Sequence, residues 1–485
     1  MRRGTDYLSS LNDGRKVMVD GEAIENVTDH PAFAGVARSA ARLFDAADDD
    51  PEMQHIDPRL GPDPVNRVYA LPLTQEGLAG RRKSIAKWAE LTHGFLGRTP
   101  DHVGGIFAAY DLGADVFARG GQGYADNVRR FRKRIANESL YLTYTIIPPQ
   151  DDRSKIGNEH AEPKQVHVVE ERDDGIVLRG AQMLGTSAAI ADYVYMTCLL
   201  PLNPGDEDFA ISCVVPCGAP GLRWYSRTPY AVGKPSVWDY PLSTRLDETD
   251  SLAVLDNVFV PWEDVFVYRD IDILRAQTSE TEFRTYGNSQ AQIRLAAKLK
   301  FLIGLAYRMV ESNNVVHLPG VQEKLGEIAA LAAMVEGMVH AAEANAIVID
   351  GAYVPAARFI HAPMALQADT YPRVLNIIRD LAGAGMIQTP SSVHAFTSLE
   401  TADDVARYYS GANSDAVDRV KLFKLAWDAI GSELAGRHHQ YEIFYSGPPF
   451  AMKMLNAQKY GYEEATALVD GFLDTYDMDT TVMDR

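Results

Sequence analysis

Arg98 and His102 stand four residues apart in Gly97-Arg98-Thr99-Pro100-Asp101-His102, and Asp101 sits beside the histidine. A proline near a helix start supplies a preset φ and wastes no backbone N–H. The pattern predicts a rigid turn leading into a helix that runs to about Tyr110. Guanidinium and imidazole then face one space. A fixed cation beside a titratable ring can hold an anionic oxygen and manage its proton. Taken alone, the same residues also fit a surface cation and a capping histidine.

Two further stretches carry chemistry. Pro148-Pro149-Gln150-Asp151-Asp152-Arg153-Ser154-Lys155 is a polar loop behind a strand that bears Tyr144. Leu184-Gly185-Thr186-Ser187-Ala188-Ala189 follows a hairpin. Its small residues let a flat ligand approach the backbone, and its hydroxyls offer donors. It also reads as a plain turn between strands.

Other chemistries are disfavoured. There is no His-Glu-x-x-His and no paired Cys-x-x-Cys, and His438-His439 are adjacent, so on a helix they diverge by about 100°. No metal site is expected. Gly120-Gly121-Gln122-Gly123 and Gly383-Ala384-Gly385 lack the strand–loop–helix setting of a dinucleotide fingerprint. The formal charge of −19 argues against nucleic acid and anionic membranes. The basic runs 81–83 and 129–134 read as solvated helix faces or as a docking surface. No run of eighteen apolar residues and no leader segment is apparent, so neither a membrane span nor export is expected. With three cysteines, Cys198, Cys213 and Cys217, kept as thiols, a cytoplasmic location is expected.

The elements that must position these residues fall into three blocks within 485 residues. Residues 1–140 are expected to be mostly helical, with helices near 33–46, 75–91 and 127–139. Residues 141–270 are β-branched and aromatic. Strands are expected at 141–147, 165–169, 176–179, 193–200, 209–215, 222–226 and 252–260, as an antiparallel barrel or sandwich. Residues 271–485 are expected to be helical to the end, with wide apolar stripes such as Leu325, Ile328, Leu331, Val335 and Val339.

This order, together with its motifs, resembles the oxygenase component of the flavin-dependent 4-hydroxyphenylacetate 3-monooxygenase family. The likeness rests on Val27-Thr28-Asp29-His30-Pro31, Gly97-Arg98-Thr99-Pro100-Asp101, the Pro148–Lys155 loop, Leu255-Asp256-Asn257-Val258-Phe259-Val260-Pro261-Trp262-Glu263 and Leu422-Phe423-Lys424-Leu425-Ala426-Trp427-Asp428. It implies an α+β acyl-CoA dehydrogenase-like fold: an N-terminal helical domain, a central antiparallel β-barrel and a C-terminal four-helix bundle. It implies a homotetramer that takes reduced FAD from a separate reductase and, with dioxygen and through a flavin hydroperoxide, hydroxylates an aromatic substrate, commonly a phenol. Arg98 then anchors the substrate oxygen, His102 is the base or hydrogen-bond partner and Tyr144 a donor. Asp152, Arg153 and Ser154 touch the flavin or fix its loop, Thr186 and Ser187 lie near the isoalloxazine, and Gly383, Gly385 and Gln388 meet the FAD diphosphate or adenine, across a subunit boundary. Typical members carry Tyr where His102 stands and His where Tyr144 stands, so the two rings are exchanged here. The alternative on the same fold is an acyl-CoA dehydrogenase or hydroxyacyl-CoA dehydratase, with Glu400 or Asp428 as a carboxylate base. A third reading, prompted by the exchanged rings, is a non-catalytic scaffold.

Overall fold

The computed structural model describes residues 1–152, 155, 157–160 and 162–476. Its first block builds helices Ala34–Asp49, Gln75–Leu91, Pro100–Leu112 and Gln122–Glu138. Local signals set their ends. The Thr74 hydroxyl accepts from Gly77 N as an N-cap, Pro100 opens the third helix, and Ser139 in the left-handed region closes the fourth. The apolar stripe Val36, Ala40, Leu43 and Phe44 is buried as its spacing requires.

The middle block forms two sheets that share one core. The larger runs Glu22–Ile24, Lys16–Val19, Leu222–Ser226, Asp250–Pro261, Gly175–Thr186, His167–Arg172. The smaller runs Val265–Tyr268, Ile211–Pro216, Tyr193–Thr197, Leu142–Thr145. One bridge, Ile147 to Met183, ties the edge of the smaller sheet to the larger. The pairing is not purely antiparallel: Lys16–Val19 runs parallel to Leu222–Ser226, and Leu142–Thr145 parallel to Tyr193–Thr197. Neither strand is joined by a hairpin to its parallel partner, so nothing forces the pair antiparallel. The three cysteines are buried in this region.

The last block is a bundle of Phe283–Ser312, Pro319–Ala344, Ala357–Ala382 and Ala416–Ile430, followed by Glu433–Phe444 and Pro449–Lys459. The apolar stripe from Val420 to Leu434 is cut in two. The first helix ends at Gly431, and Ser432 caps the next by accepting from Ala435 N.

Three further features depart from the sequence reading. Lys16–Val19 and Glu22–Ile24 are strands joined at Asp20-Gly21, and Ile347–Ile349 and Ala352–Val354 are joined at Asp350-Gly351 inside the otherwise helical block. All four turn residues have positive φ, as the tight hairpin turn demands. The basic runs are not wholly solvated. Arg81 is buried with its guanidinium 4.8 Å from the Tyr286 ring, and Arg132 is buried against Asp57 and Asp111. A helix turns one residue in three or four inward, whatever the run looks like in sequence.

Candidate active site

The turn that carries Arg98 is held from three sides. Glu248 Oε2 accepts from Gly97 N at 2.7 Å and Arg98 N at 2.9 Å. The Tyr141 hydroxyl donates to the Arg98 carbonyl at 2.9 Å. Gly97 lets Tyr441 lie against the turn, because a Cβ there would stand 2.0 Å from the Tyr441 hydroxyl. Asp101, expected just ahead of the helix, lies in its first turn. Its Oδ1 accepts from Thr99 Oγ1 and from Gln290 Nε2, and burial pushes its pKa up to about 6.

Arg98 and His102 meet as expected. Arg98 Nη1 lies 2.9 Å from His102 Nε2, and Arg98 Nη2 donates to the Tyr445 carbonyl at 2.9 Å. Arginine can only donate, so His102 Nε2 accepts and the ring proton sits on Nδ1. Nδ1 faces the Tyr445 hydroxyl at 3.3 Å, and that hydroxyl lies 3.4 Å from Gln290 Oε1. Burial, then the Arg98 charge, hold the His102 pKa well below its ordinary value. Its resting state is a neutral imidazole.

Tyr144 completes the group. Its ring is 5.4 Å from that of His102, and Arg98 Cζ lies 5.0 Å from its centroid. Tyr144 is half-buried, and its hydroxyl makes no hydrogen bond among the described residues. Arg98 Cζ is also 4.0 Å from the Tyr445 ring and 5.5 Å from Tyr441. Burial works against the Arg98 charge, while the three tyrosines and Glu248 outweigh it and raise its pKa.

Tyr441, Tyr445 and Gln290 were missed in the sequence. Tyr441 and Tyr445 are four apart on one helical stretch, a spacing that could have flagged them. Beneath them Glu442 is fully buried. It accepts from Arg294 at 2.6 and 2.7 Å, Lys298 at 2.9 Å and Gln367 at 2.8 Å. Burial alone would raise its pKa, but Arg294 and Lys298 bring it down to about 2. Lys298 is pushed down to about 8 by burial, despite Glu442.

The residues expected near the flavin lie close to the Ile147–Met183 bridge. Thr186 Oγ1 donates to Asp250 Oδ1 at 2.8 Å, and Ser187, in the left-handed region, donates its N–H to the Glu248 carbonyl at 2.9 Å. The loop of Asp152 leaves from the other strand of the same bridge. Asp152 is described, and Arg153 and Ser154 lie outside the described residues. Ile147 and Leu184 are exposed there, 38% and 53%. Thr186 and Ser187 offer a polar edge beside these residues, of the kind a flat ring such as a flavin takes. Gly383, Gly385 and Gln388 are not brought to this cluster within the chain. They follow the C-terminal end of helix Ala357–Ala382, whose Gln367 contacts Glu442. Sixteen residues of helix separate Gln367 from Gly383, about 24 Å.

The carboxylates considered for an acyl-CoA reaction lie elsewhere. Glu400 is exposed, and Asp428 is buried as an acceptor for Leu242 N and Ser243 N at 2.7 and 2.8 Å. Among the described residues no group of three or more His, Cys, Asp or Glu is placed to hold a metal ion.

Comparison with known proteins follows the same lines. The profile described as 4-hydroxyphenylacetate 3-hydroxylase N terminal matches residues 3–267, and the corresponding C-terminal profile matches 274–474. The 4-hydroxyphenylacetate 3-monooxygenase oxygenase component of Klebsiella oxytoca is 35% identical, covering 98% of this chain and 93% of the relative. The oxygenase component of 4-nitrophenol 2-monooxygenase from a Rhodococcus species is 33% identical, covering 98% and 92%. A crystal structure of a 4-hydroxyphenylacetate 3-monooxygenase oxygenase component with FAD and 4-hydroxyphenylacetate superposes with a TM-score of 0.91 at 29% identity, covering 98% of this chain and 99% of that one.

Proposed function

We infer from the 4-hydroxyphenylacetate 3-hydroxylase family, to which this chain belongs, that it is the oxygenase component of a flavin-dependent monooxygenase acting on a phenol. The observation that carries the reading is the cluster of buried Arg98 and His102 with half-buried Tyr144, beside the Thr186–Ser187 edge. Reduced FAD, when bound, supplies the activated oxygen.

Thr186, Ser187 and Asp152 would hold the flavin when it is bound. Arg98 uses two of its five N–H groups on His102 and Tyr445, so donors remain for a substrate oxygen. Its charge favours the phenolate, which makes the ring carbon beside the oxygen a better nucleophile. The unbonded Tyr144 hydroxyl donates to the same oxygen. His102 Nε2 is engaged with Arg98, so it takes the phenol proton only once the substrate oxygen displaces that contact. Tyr441 and Tyr445 exclude water from the guanidinium.

An exposed apolar helix supports the assembly proposed. An 18-residue stretch within helix Pro319–Ala344 has a mean hydropathy of 1.3, yet only 22% of that stretch is buried in the chain. Assembly as a homotetramer covers it, and places Gly383, Gly385 and Gln388 against the diphosphate or adenine of a neighbour's FAD. A separate reductase supplies the reduced flavin, and the three buried thiols suit the cytoplasm. The test is to bind reduced FAD anaerobically, mix with ¹⁸O₂ and a panel of phenols, and weigh the products. One ¹⁸O atom in a catechol is expected. Oxidation of the flavin with no labelled product from any phenol refutes the reading.

A further inference from the structure

Thr186 and Ser187 on the flavin side and Gly97 and Arg98 on the substrate side belong to different domains, yet the two pairs share one set of polar partners. Glu248 sits between them. Its carbonyl accepts from Ser187 N at 2.9 Å, and its carboxylate accepts from Gly97 N and Arg98 N. The other carboxylate oxygen accepts from Arg437 Nη1 at 2.7 Å. Arg437 then reaches Asp250 with Nε at 3.0 Å and Nη2 at 2.7 Å, and Asp250 accepts from Thr186 Oγ1. The Glu248 side chain is 0% exposed and that of Arg437 8%. Arg437 comes from helix Glu433–Phe444, and its guanidinium is 4.7 Å from the ring of Tyr441, which also packs on Arg98. One arginine and two carboxylates thus fasten all three domains at the place where cofactor and substrate must meet.

We propose that Glu248 and Arg437 are positioning residues that set the distance between the flavin edge at Thr186–Ser187 and the substrate anchor at Arg98. The proposal rests on the functional reading above. Burying this triad is costly unless every group is paired, and here the pairing defines a single geometry. Oxygen transfer needs the reacting atoms near van der Waals contact, and a misplacement of about 1 Å costs on the order of 100-fold. Flavin oxidation by dioxygen has no such requirement. Loosening the triad therefore separates the two: oxygen is consumed and leaves as hydrogen peroxide instead of entering the ring.

Glu248→Gln tests this. Glutamine Oε1 still accepts from Gly97 and Arg98, but its NH₂ then faces Arg437, donor against donor. Reduced FAD is expected to bind the variant within about threefold of the parent. Product formed per FAD oxidised should fall at least about tenfold, with peroxide making up the difference. Arg437→Lys keeps the charge, loses the fork and should give an intermediate ratio. Amide exchange supplies a readout free of turnover: segments holding Gly97–Arg98 and Thr186–Ser187 should both exchange faster in Arg437→Lys. A parental product-to-peroxide ratio in both variants overturns the proposal. So does faster exchange in only one segment, or loss of reduced-FAD binding in step with loss of fold. A parent enzyme that hydroxylates no phenol refutes the functional reading instead, and the exchange result still judges the network.

Discussion

Glu442→Gln isolates the charge beneath the site. The carboxylate accepts four hydrogen bonds, three of them from cations, in a place without solvent. Its pKa lies near 2 against an ordinary 4.5. At about 1.4 kcal/mol per pH unit, that depression corresponds to roughly 3 kcal/mol of preference for the charged, paired form. Removing one partner of a buried ion pair independently suggests about 3–5 kcal/mol, because Arg294 and Lys298 lose their counter-charge. Glutamine keeps the volume and one acceptor, so packing contributes little. For a domain of this size about 3 kcal/mol lowers Tm by roughly 6–12 °C. The sign with pH is fixed. A depressed carboxylate stabilises the fold above about pH 4.5 and loses that contribution as pH falls towards 2, so the parent should have an acid-limb slope that the variant lacks. The deficit should also shrink from pH 6 to pH 9, because Lys298, about 8 with Glu442 beside it, titrates lower still without that carboxylate and sheds one of the uncompensated charges. Scanning calorimetry at pH 3, 6 and 9 reads all of this. A Tm within about 2 °C of the parent at pH 6 would refute the argument.

Three further outcomes are expected. Arg98→Lys replaces a fork by a point charge that cannot hold His102, the Tyr445 carbonyl and a phenolate together, so kcat/KM should fall about 100-fold with Tm little changed, measured by steady-state turnover. Gly97→Ala drives a Cβ into the Tyr441 hydroxyl; it should cost about 1–3 kcal/mol in thermal unfolding, and Gly97→Ala/Tyr441→Leu should recover part of the loss. His102→Tyr and Tyr144→His should each damage turnover, but the double exchange should be less harmful than their sum by about 1–3 kcal/mol, because the rings touch at 5.4 Å and their volumes compensate; additive losses in the kinetic cycle would show them to be independent.

Much of the fold was legible because its signals are local. Pro100, Thr74 and the spacing of Val36, Ala40, Leu43 and Phe44 fix helices without help from the rest of the chain. The hairpins at Asp20-Gly21 and Asp350-Gly351 carried an equal signal, but their strands are only three or four residues long, too short for periodicity to register. In the site, Arg98, His102 and Tyr144 stood in motifs and could be read. Glu248 and Arg437 could not, since each reaches its partner across 150 to 189 residues of chain. Long-range pairing of this kind leaves no spacing in the sequence.

The choice of neighbours around Arg98 then makes chemical sense. A buried guanidinium is most simply neutralised by a carboxylate, and Glu248 is close enough to have served. It binds the backbone N–H groups of Gly97 and Arg98 instead, and gives its other oxygen to Arg437. Asp101 turns to Thr99 and Gln290, with a pKa raised towards neutrality. What faces the Arg98 head is three tyrosine rings and a neutral imidazole. Ring faces stabilise a cation without cancelling it. A carboxylate in their place would compete with a phenolate for the same donors, and the substrate would have to break a buried salt bridge to bind. The carboxylates are therefore used to hold the turn, and the charge they leave exposed to the site is the one that an ionising phenol needs.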